Sequence, residues 1–509
     1  MSVRSIRPSS TIAIIGAGFA GLSSARVLSE LGHDVVVYEK APDVGGVWSA
    51  TRRYPGLKTQ NNKGTYALSE MPMPEHYPEW PSGEQVQSYL ETYARTFDLM
   101  DRVHCDTEVI DAAPTSTGGW DVTTKRTDAS VHADDAPITN TEHVDHLILA
   151  SGIFSEPFVP AFEGADVFLA AGGQIFPAGD LHSLDQVDGK HAIIVGYGKS
   201  ACDITVEVSK VAASTTVVAR ELLWKLPRKI RNVVNYKFIM LTRLGEGLFR
   251  YNSINGFEKL LHAADSTIAD SMVSSVGSVT TKQLGLKKLG LVPQGTFADI
   301  ARSTVSLVSE GFFEGIADGT IDVRRETTIV RLLEKDGYPQ AELSDGTVIR
   351  ADVVLAATGW KQNIPFLSPD VLRRFTDANG DYVLYQQIHP VGVPDLSFAG
   401  YNSSFFSPLS AETSALWIGS LLGGNHTLPS DDDMRASVAK RLAWMRERTN
   451  GNHARGTNII PFSVHNIDET LTDIGINVSM LTRAKQWLFP VNPSDYRGIV
   501  QTLKKRIHG

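Results

Sequence analysis

Two glycine-rich stretches carry residue types that can hold phosphate. Gly16, Gly18 and Gly21 stand at the G-x-G-x-x-G spacing in GAGFAG, with Phe19 and Ala20 between them. Gly16 permits a tight turn, Gly18 lets backbone approach a pyrophosphate, and Gly21 lets a helix lie close on a strand. Gly196, Gly198 and Ser200 repeat the design in GYGKSA. The stretches differ at the residue that closes the next apolar run: Glu39, followed by Lys40, in the first, and Arg220 in the second. A carboxylate accepts hydrogen bonds from ribose hydroxyls and repels a 2′-phosphate, whereas a guanidinium binds that phosphate bidentately. The first stretch therefore suits a free adenosine ribose, as in FAD. The second suits NADPH, with Lys199 and Arg228 able to assist. Between them, Gly45 and Gly46 allow close backbone approach beside Val47 and Trp48. That indole can cover a planar ring or fill a core. Gln60, Asn61 and Asn62 are amides that donate and accept but do not titrate. Such a run also serves turns.

These residues need elements to hold them. Ile12 to Ile15 and Val35 to Tyr38 are apolar runs of strand length, separated by a helical pattern from about Phe19 to Leu31. The helix N-terminus offers free N–H groups and roughly half a positive charge to phosphates. Around the second stretch, Ala192 to Val195, Ser200 to Val211 and Thr215 to Ala219 read as strand, helix and strand. Ser82 to Leu99 has a helical stripe of Val86, Tyr89, Leu90, Tyr93 and Phe97. Gly119 to Thr124 and Val144 to Ala150 read as strands around a polar insert. Two apolar strands end alike, at Ser151-Gly152 and at Thr358-Gly359, and Asp345-Gly346 marks a hairpin turn. A helix is expected to start near Ser410 and to include Trp417. The stretch 230–290 shows scattered aromatics, among them Tyr236, and weak helical periodicity near Gly256 to Ala264.

Composition excludes several classes. With 509 residues the chain holds two or three domains. A net charge of −9 disfavours a general nucleic-acid role. Two distant cysteines, Cys105 and Cys202, leave no disulfide framework and no CxxC redox pair, which suits a reducing cytoplasm. The short basic lead has no signal-peptide core, no run reaches the roughly 18 apolar residues of a membrane span, and no metal-ligand cluster stands out. The tail SDYRGIVQTLKKRIHG reads as a solvated helix end.

Nearly the whole chain resembles the single-component flavin-containing monooxygenases, a group related to the Baeyer–Villiger monooxygenases. GAGFAG and GYGKSA look like its FAD and NADPH motifs, GGVWSATRRYPG like its flavin-covering segment, and LAATGW like its L-A-T-G-aromatic motif. SYLETYARTFDL matches its early helix, and VVARELLWKLPR its NADPH-recognising segment. The fingerprint F-x-G-x-x-x-H is met imperfectly by FPAGDLHSLDQ. Phe176 and His182 fit, Ala178 replaces Gly beside Gly179, and Gln186 replaces the terminal aromatic or Lys. Gln60 stands where the family usually has Asn and its ketone-oxidising members tend to have Asp.

The resemblance implies an α/β fold of two Rossmann-like dinucleotide-binding domains. The NADPH domain, about 166–335 with a helical insertion at 230–290, is inserted into a discontinuous FAD domain of 1–165 and 336–509. It implies a monooxygenase that uses NADPH and O2, through a C4a-(hydro)peroxyflavin, to oxygenate a small substrate at N or S. Gln60 and Asn61 would be the catalytic amides. Val109 and Gly359 would join the two glycine loops, Glu39, Lys40, Gly46, Val47, Trp48, Gln60 and Arg220 in holding cofactor. Baeyer–Villiger oxidation of a ketone, a non-oxygenating flavoprotein and homo-oligomerisation stay open.

Overall fold

The computed structural model describes residues 10–127, 138–263, 266–302 and 305–508. The basic lead, the middle of the polar insert and Ala264 lie outside these residues.

Two parallel five-stranded sheets organise the chain, one around each glycine loop. The first runs Leu396–Phe398, His146–Leu149, Thr11–Ile15, Asp34–Tyr38, Val103–His104. Its neighbours are all parallel, with Ile12 opposite both Val35 and His146. The second runs Asp322–Arg325, Ser214–Ala219, His191–Val195, Val353–Ala356, Gln174–Pro177, again parallel throughout. Central strands of such sheets are covered on both faces, so they read as continuous apolar runs. Ile12, Ile14, Leu147, Ile194, Val353 and Leu355 are all fully buried.

Each unit also carries a three-stranded antiparallel meander just before its returning strand. Thr107–Pro114, Trp120–Arg126 and Thr139–Val144 precede His146–Leu149. Ile329–Lys335, Tyr338–Leu343 and Val348–Arg350 precede Val353–Ala356. Gly346 closes the second meander's last hairpin with φ +83°.

One expectation changes. Val353–Ala356 pairs with His191–Val195 and Gln174–Pro177, so this strand and its meander belong to the second unit rather than to the first. The boundary placed at 335/336 moves to the turn at Thr358 and Gly359. An apolar strand ending in Thr-Gly has the same pattern in either sheet, and only its pairing partners decide. At that turn the two crossings between the units lie side by side. Glu156–Pro157 pairs antiparallel with Trp360–Lys361, and Phe158 N–H donates to Gly359 O at 2.9 Å.

Helices then fix the loops. Ser82 opens Gly83–Thr96 with a capping box to Gln85, and Val86, Tyr89, Leu90 and Tyr93 are buried. The helix expected near Ser410 starts at Ser407 and runs to Leu422, buried almost throughout against Phe19–Glu30. Arg26 pairs there with Glu412 at 3.3 Å, both nearly inaccessible, and Ser69 donates its N–H and hydroxyl to the same carboxylate. The 230–290 stretch forms helices Lys237–Met240, Arg243–Gly247, Glu258–Leu261, Ile268–Gln283 and Leu286–Leu289. No helix among the described residues is long and apolar enough to cross a membrane.

Candidate active site

The first glycine loop is built as its spacing requires. Gly16 has φ +105° and donates its N–H to Tyr38 O at 2.8 Å. A Cβ on Gly21 would stand 1.8 Å from Gly16 O. The helix Phe19–Glu30 has no side-chain cap and no acid in its first turn, which leaves its first N–H groups for an anion. Glu39 is buried at the strand end. Its two oxygens accept the N–H groups of Ala17 (2.8 Å) and Ala41 (2.9 Å), and each keeps capacity for a ribose hydroxyl. Lys40 is exposed beside it, and Val109 lies in the same buried cluster as Ile15 and Tyr38.

The Gly45-Gly46 loop docks on this turn. Gly45 N–H donates to Ala17 O at 3.0 Å, and a Cβ on Gly46 would meet Gly18 Cα at 3.2 Å. Trp48 is buried, edge-on to Tyr66 at 5.8 Å, and Tyr66 is edge-on to Phe19 at 5.3 Å. Val47, by contrast, is exposed. The sequence left Trp48 between ring cover and core, and here it stands as part of a buried aromatic wall.

The second loop repeats the first with one difference. Gly196 has φ +129°, donates to Val218 O at 3.0 Å, and a Cβ there would lie 2.5 Å from Ala357 O. A Cβ on Gly198 would meet nothing within 4 Å, so this loop faces open space. Helix Lys199–Val208 is likewise uncapped, with no acid in its first turn. Both loops therefore fit phosphate, and Glu39 in the first fits a free ribose. Of the three expected cations, Lys199 is held by Asp203 and by Ser309 Oγ at 3.1 Å. Arg228 pairs with Glu310 at 2.9 Å and lies over Trp80. Arg220 is exposed and makes no ion pair among the described residues.

The two loops are brought together by the segment after Trp48. Tyr54 OH donates to Ser200 Oγ and to Asp203 Oδ2, each at 3.3 Å, and a Cβ on Gly56 would clash with Glu207. Gly359, with φ +95°, turns the returning crossing.

Past this contact come the amides. Gln60 Oε1 accepts Leu307 N–H at 3.1 Å. A backbone N–H can only donate, so the side-chain oxygen faces it, and Nε2 has no partner among the described residues. Asn61 is buried and committed at both ends: Nδ2 donates to Phe405 O, and Oδ1 accepts Tyr236 OH at 3.3 Å. Tyr236 OH also reaches Gln60 O at 2.9 Å. Phe405 lies two residues before the helix Ser407–Leu422, so the amide loop is pinned between that helix's N-terminus and the 230–290 stretch. Tyr236 was one scattered aromatic in the sequence, with no spacing signal to single it out.

The imperfect fingerprint is a connector. Gln186 Oε1 accepts the N–H groups of His182 (2.8 Å) and Ser183 (3.0 Å), and its Nε2 donates to Asp180 O at 3.1 Å. The His182 side chain is exposed. A glutamine at this end of the motif closes the loop on itself.

Comparison with known proteins agrees with this geometry. The family model described as "FMO-like: Flavin-binding monooxygenase-like" matches residues 9–486. "Probable flavin-containing monooxygenase 1" of Arabidopsis thaliana is 26% identical over 516 residues, covering 92% of each chain. The S-allyl-L-cysteine S-oxygenase of Allium sativum superposes with a TM-score of 0.62 at 18% identity, covering 99% of this chain and 94% of the other. A steroid monooxygenase bound to NADP gives 0.64 at 18% identity, covering 92% and 98%. The chain belongs to the flavin-binding monooxygenase-like family and is an FAD- and NADPH-dependent monooxygenase.

Proposed function

We propose that the cleft between the two glycine loops oxygenates a soft nucleophile, an amine nitrogen or a sulfide sulfur, using NADPH and O2. The observation that carries this reading is the pairing of two unlike glycine loops across the Tyr54 contact: Glu39 with capacity to accept further hydrogen bonds at the end of one, and Arg220, without an ion pair among the described residues, at the end of the other. Bound FAD supplies the redox chemistry, accepting hydride and activating oxygen. The chain's own residues hold, orient and exclude water. The uncapped helices at Phe19 and Lys199 take the pyrophosphates, and Glu39 takes the ribose of FAD. Arg220 takes the 2′-phosphate of NADPH, so this guanidinium sets the preference over NADH. Gln60 is the amide that faces the chemistry, with Nε2 as its free donor. Asn61 holds the loop, and neither amide titrates, so their role is hydrogen bonding. The similarity to an S-oxygenase supports sulfur as an acceptor. The two free cysteines support a reducing, cytoplasmic setting.

The test is turnover with NADPH and 18O2 on a tertiary amine, a dialkyl sulfide and a cyclic ketone. An N-oxide or S-oxide carrying one labelled oxygen per NADPH supports the reading. A labelled lactone alone transfers the function to ketones. Hydrogen peroxide as the only product with all three overturns it.

A further inference from the structure

Lys225 is a buried cation that none of the roles above uses. It lies on the short strand Lys225–Leu226, which pairs with Ser306–Leu307, and it is 2% exposed. Its Nζ donates to Tyr197 O at 2.5 Å and to Ser306 Oγ at 3.0 Å, and sits 4.9 Å from the Tyr197 ring centroid. Tyr197 is the residue between Gly196 and Gly198. The amine is therefore anchored on the back of the second glycine loop.

Buried lysines ordinarily have a carboxylate partner. Lys225 makes no ion pair among the described residues. The groups that face it are Tyr197, Ser306, Cys202, Lys199 and Asp203. Asp203 is already committed, accepting Lys199 Nζ, the Ser309 hydroxyl at 2.5 Å and the Tyr54 hydroxyl. Lys199 and Asp203 cancel, so a proton on Lys225 puts one positive charge in excess behind the loop. Burial pushes its pKa below the ordinary 10.5. The same loop leads into the uncapped first turn of Lys199–Val208, and Gly198 faces open space. The negative charge that Lys225 lacks among the described residues is of the kind that a dinucleotide's phosphates bring to that loop.

We propose that Lys225 is the buried counter-charge of the second nucleotide site, and that a dinucleotide phosphate binding on the 196–200 loop draws a proton onto it. The inference rests on reading that loop as the NADPH site. Lys225 is a positioning residue: its enclosed amine acts through the Tyr197 carbonyl and through its field, which is strong in a poorly solvated site. The sign follows from linkage. The ligand favours the protonated amine, so affinity is highest where Lys225 is already charged. It weakens as pH rises through the lowered pKa of the free enzyme.

The experiment is calorimetric titration of the FAD-loaded enzyme with NADP+ in two buffers of different ionisation enthalpy. It is repeated at a series of pH values from about 7 to 9.5, above the pKa of roughly 6 of a phosphate monoester, and the uptake is read across the series. The wild type should take up a measurable fraction of a proton per NADP+. Lys225→Met should abolish the uptake and weaken NADP+ about ten- to a hundredfold, with FAD content unchanged. No buffer dependence in the wild type overturns the proposal, and that result needs no variant to fold. So does a folded Lys225→Met that keeps both uptake and affinity. Gly198→Asp separates the two readings. If NADP+ still binds to it, the loop is not the NADPH site. If binding is lost there but intact in Lys225→Met, the Lys225 proposal alone fails.

Discussion

Tyr236→Phe removes one hydroxyl from a fully buried ring and leaves its volume almost unchanged. The hydroxyl has one proton and two acceptors in reach, Gln60 O at 2.9 Å and Asn61 Oδ1 at 3.3 Å. Burial holds the phenol pKa well above 10, so it donates at every working pH. Without it, at least one enclosed carbonyl oxygen loses its donor, a cost of about 1–3 kcal/mol. That is roughly a 5- to 150-fold change in how strongly the amide loop prefers its place. Its other anchors, Leu307 N–H to Gln60 and Asn61 to Phe405 O, remain, so the loop loosens rather than unfolds. The assay is the ratio of hydrogen peroxide to oxygenated product per NADPH consumed, beside FAD content and the KM for NADPH. The peroxide share should rise several-fold at least, with FAD content and KM unchanged. If the ratio and the thermal midpoint both match wild type, Tyr236 does not position the amides and the argument fails.

Other consequences follow from the same contacts. Arg220→Ala should raise the KM for NADPH about 10- to 150-fold, the worth of charge-assisted hydrogen bonds to phosphate, and leave that for NADH nearly unchanged; equal effects on both would remove Arg220 from the 2′-phosphate. Gly21→Ala puts a methyl 1.8 Å from Gly16 O, so the purified protein should carry little or no flavin, read directly from its absorbance. Arg26→Met strands the buried Glu412 carboxylate and should cost about 3–5 kcal/mol in denaturant unfolding. His465 sits between Glu246 at 2.8 Å and Glu258 at 2.7 Å. Burial opposes its charge, but hydrogen bonds to the two carboxylates outweigh burial and push its pKa up from 6.5 to about 10. The folded value is raised, so this stabilisation is full below pH 6.5 and is lost as pH rises through about 10. His465→Gln should flatten the fall of thermal midpoint over that window, and an unaltered slope would assign the fall elsewhere.

The glycine spacing, strand runs and closing residues Glu39 and Arg220 were legible because they are local. A phosphate loop is set by backbone geometry within about thirty residues, and the sequence shows all of it. The second loop's other cations were less legible. Lys199 stands beside its loop in sequence, but the carboxylate that takes it, Asp203, lies one helical turn on, and its second partner, Ser309, is 110 residues away. Gln60 and Asn61 were found by alignment to a family pattern. What separates them, one amide whose Nε2 has no partner among the described residues and one bound at both ends, depends on Leu307, Tyr236 and Phe405.

By itself, then, the sequence determined two strand–turn–helix units with unlike closing residues, Glu39 and Arg220, and the amide run between them, because each rests on residues near in the chain. Only the tertiary structure decided which sheet receives Val353–Ala356, since an apolar strand carries no mark of its neighbours. It alone showed that the 230–290 stretch sends Tyr236 onto the amide loop and that Lys225, without an ion pair among the described residues, lies behind the second glycine turn. Those facts are contacts between segments far apart in sequence. Burial and charge balance, which give such contacts their energy, exist only once the chain has closed on itself.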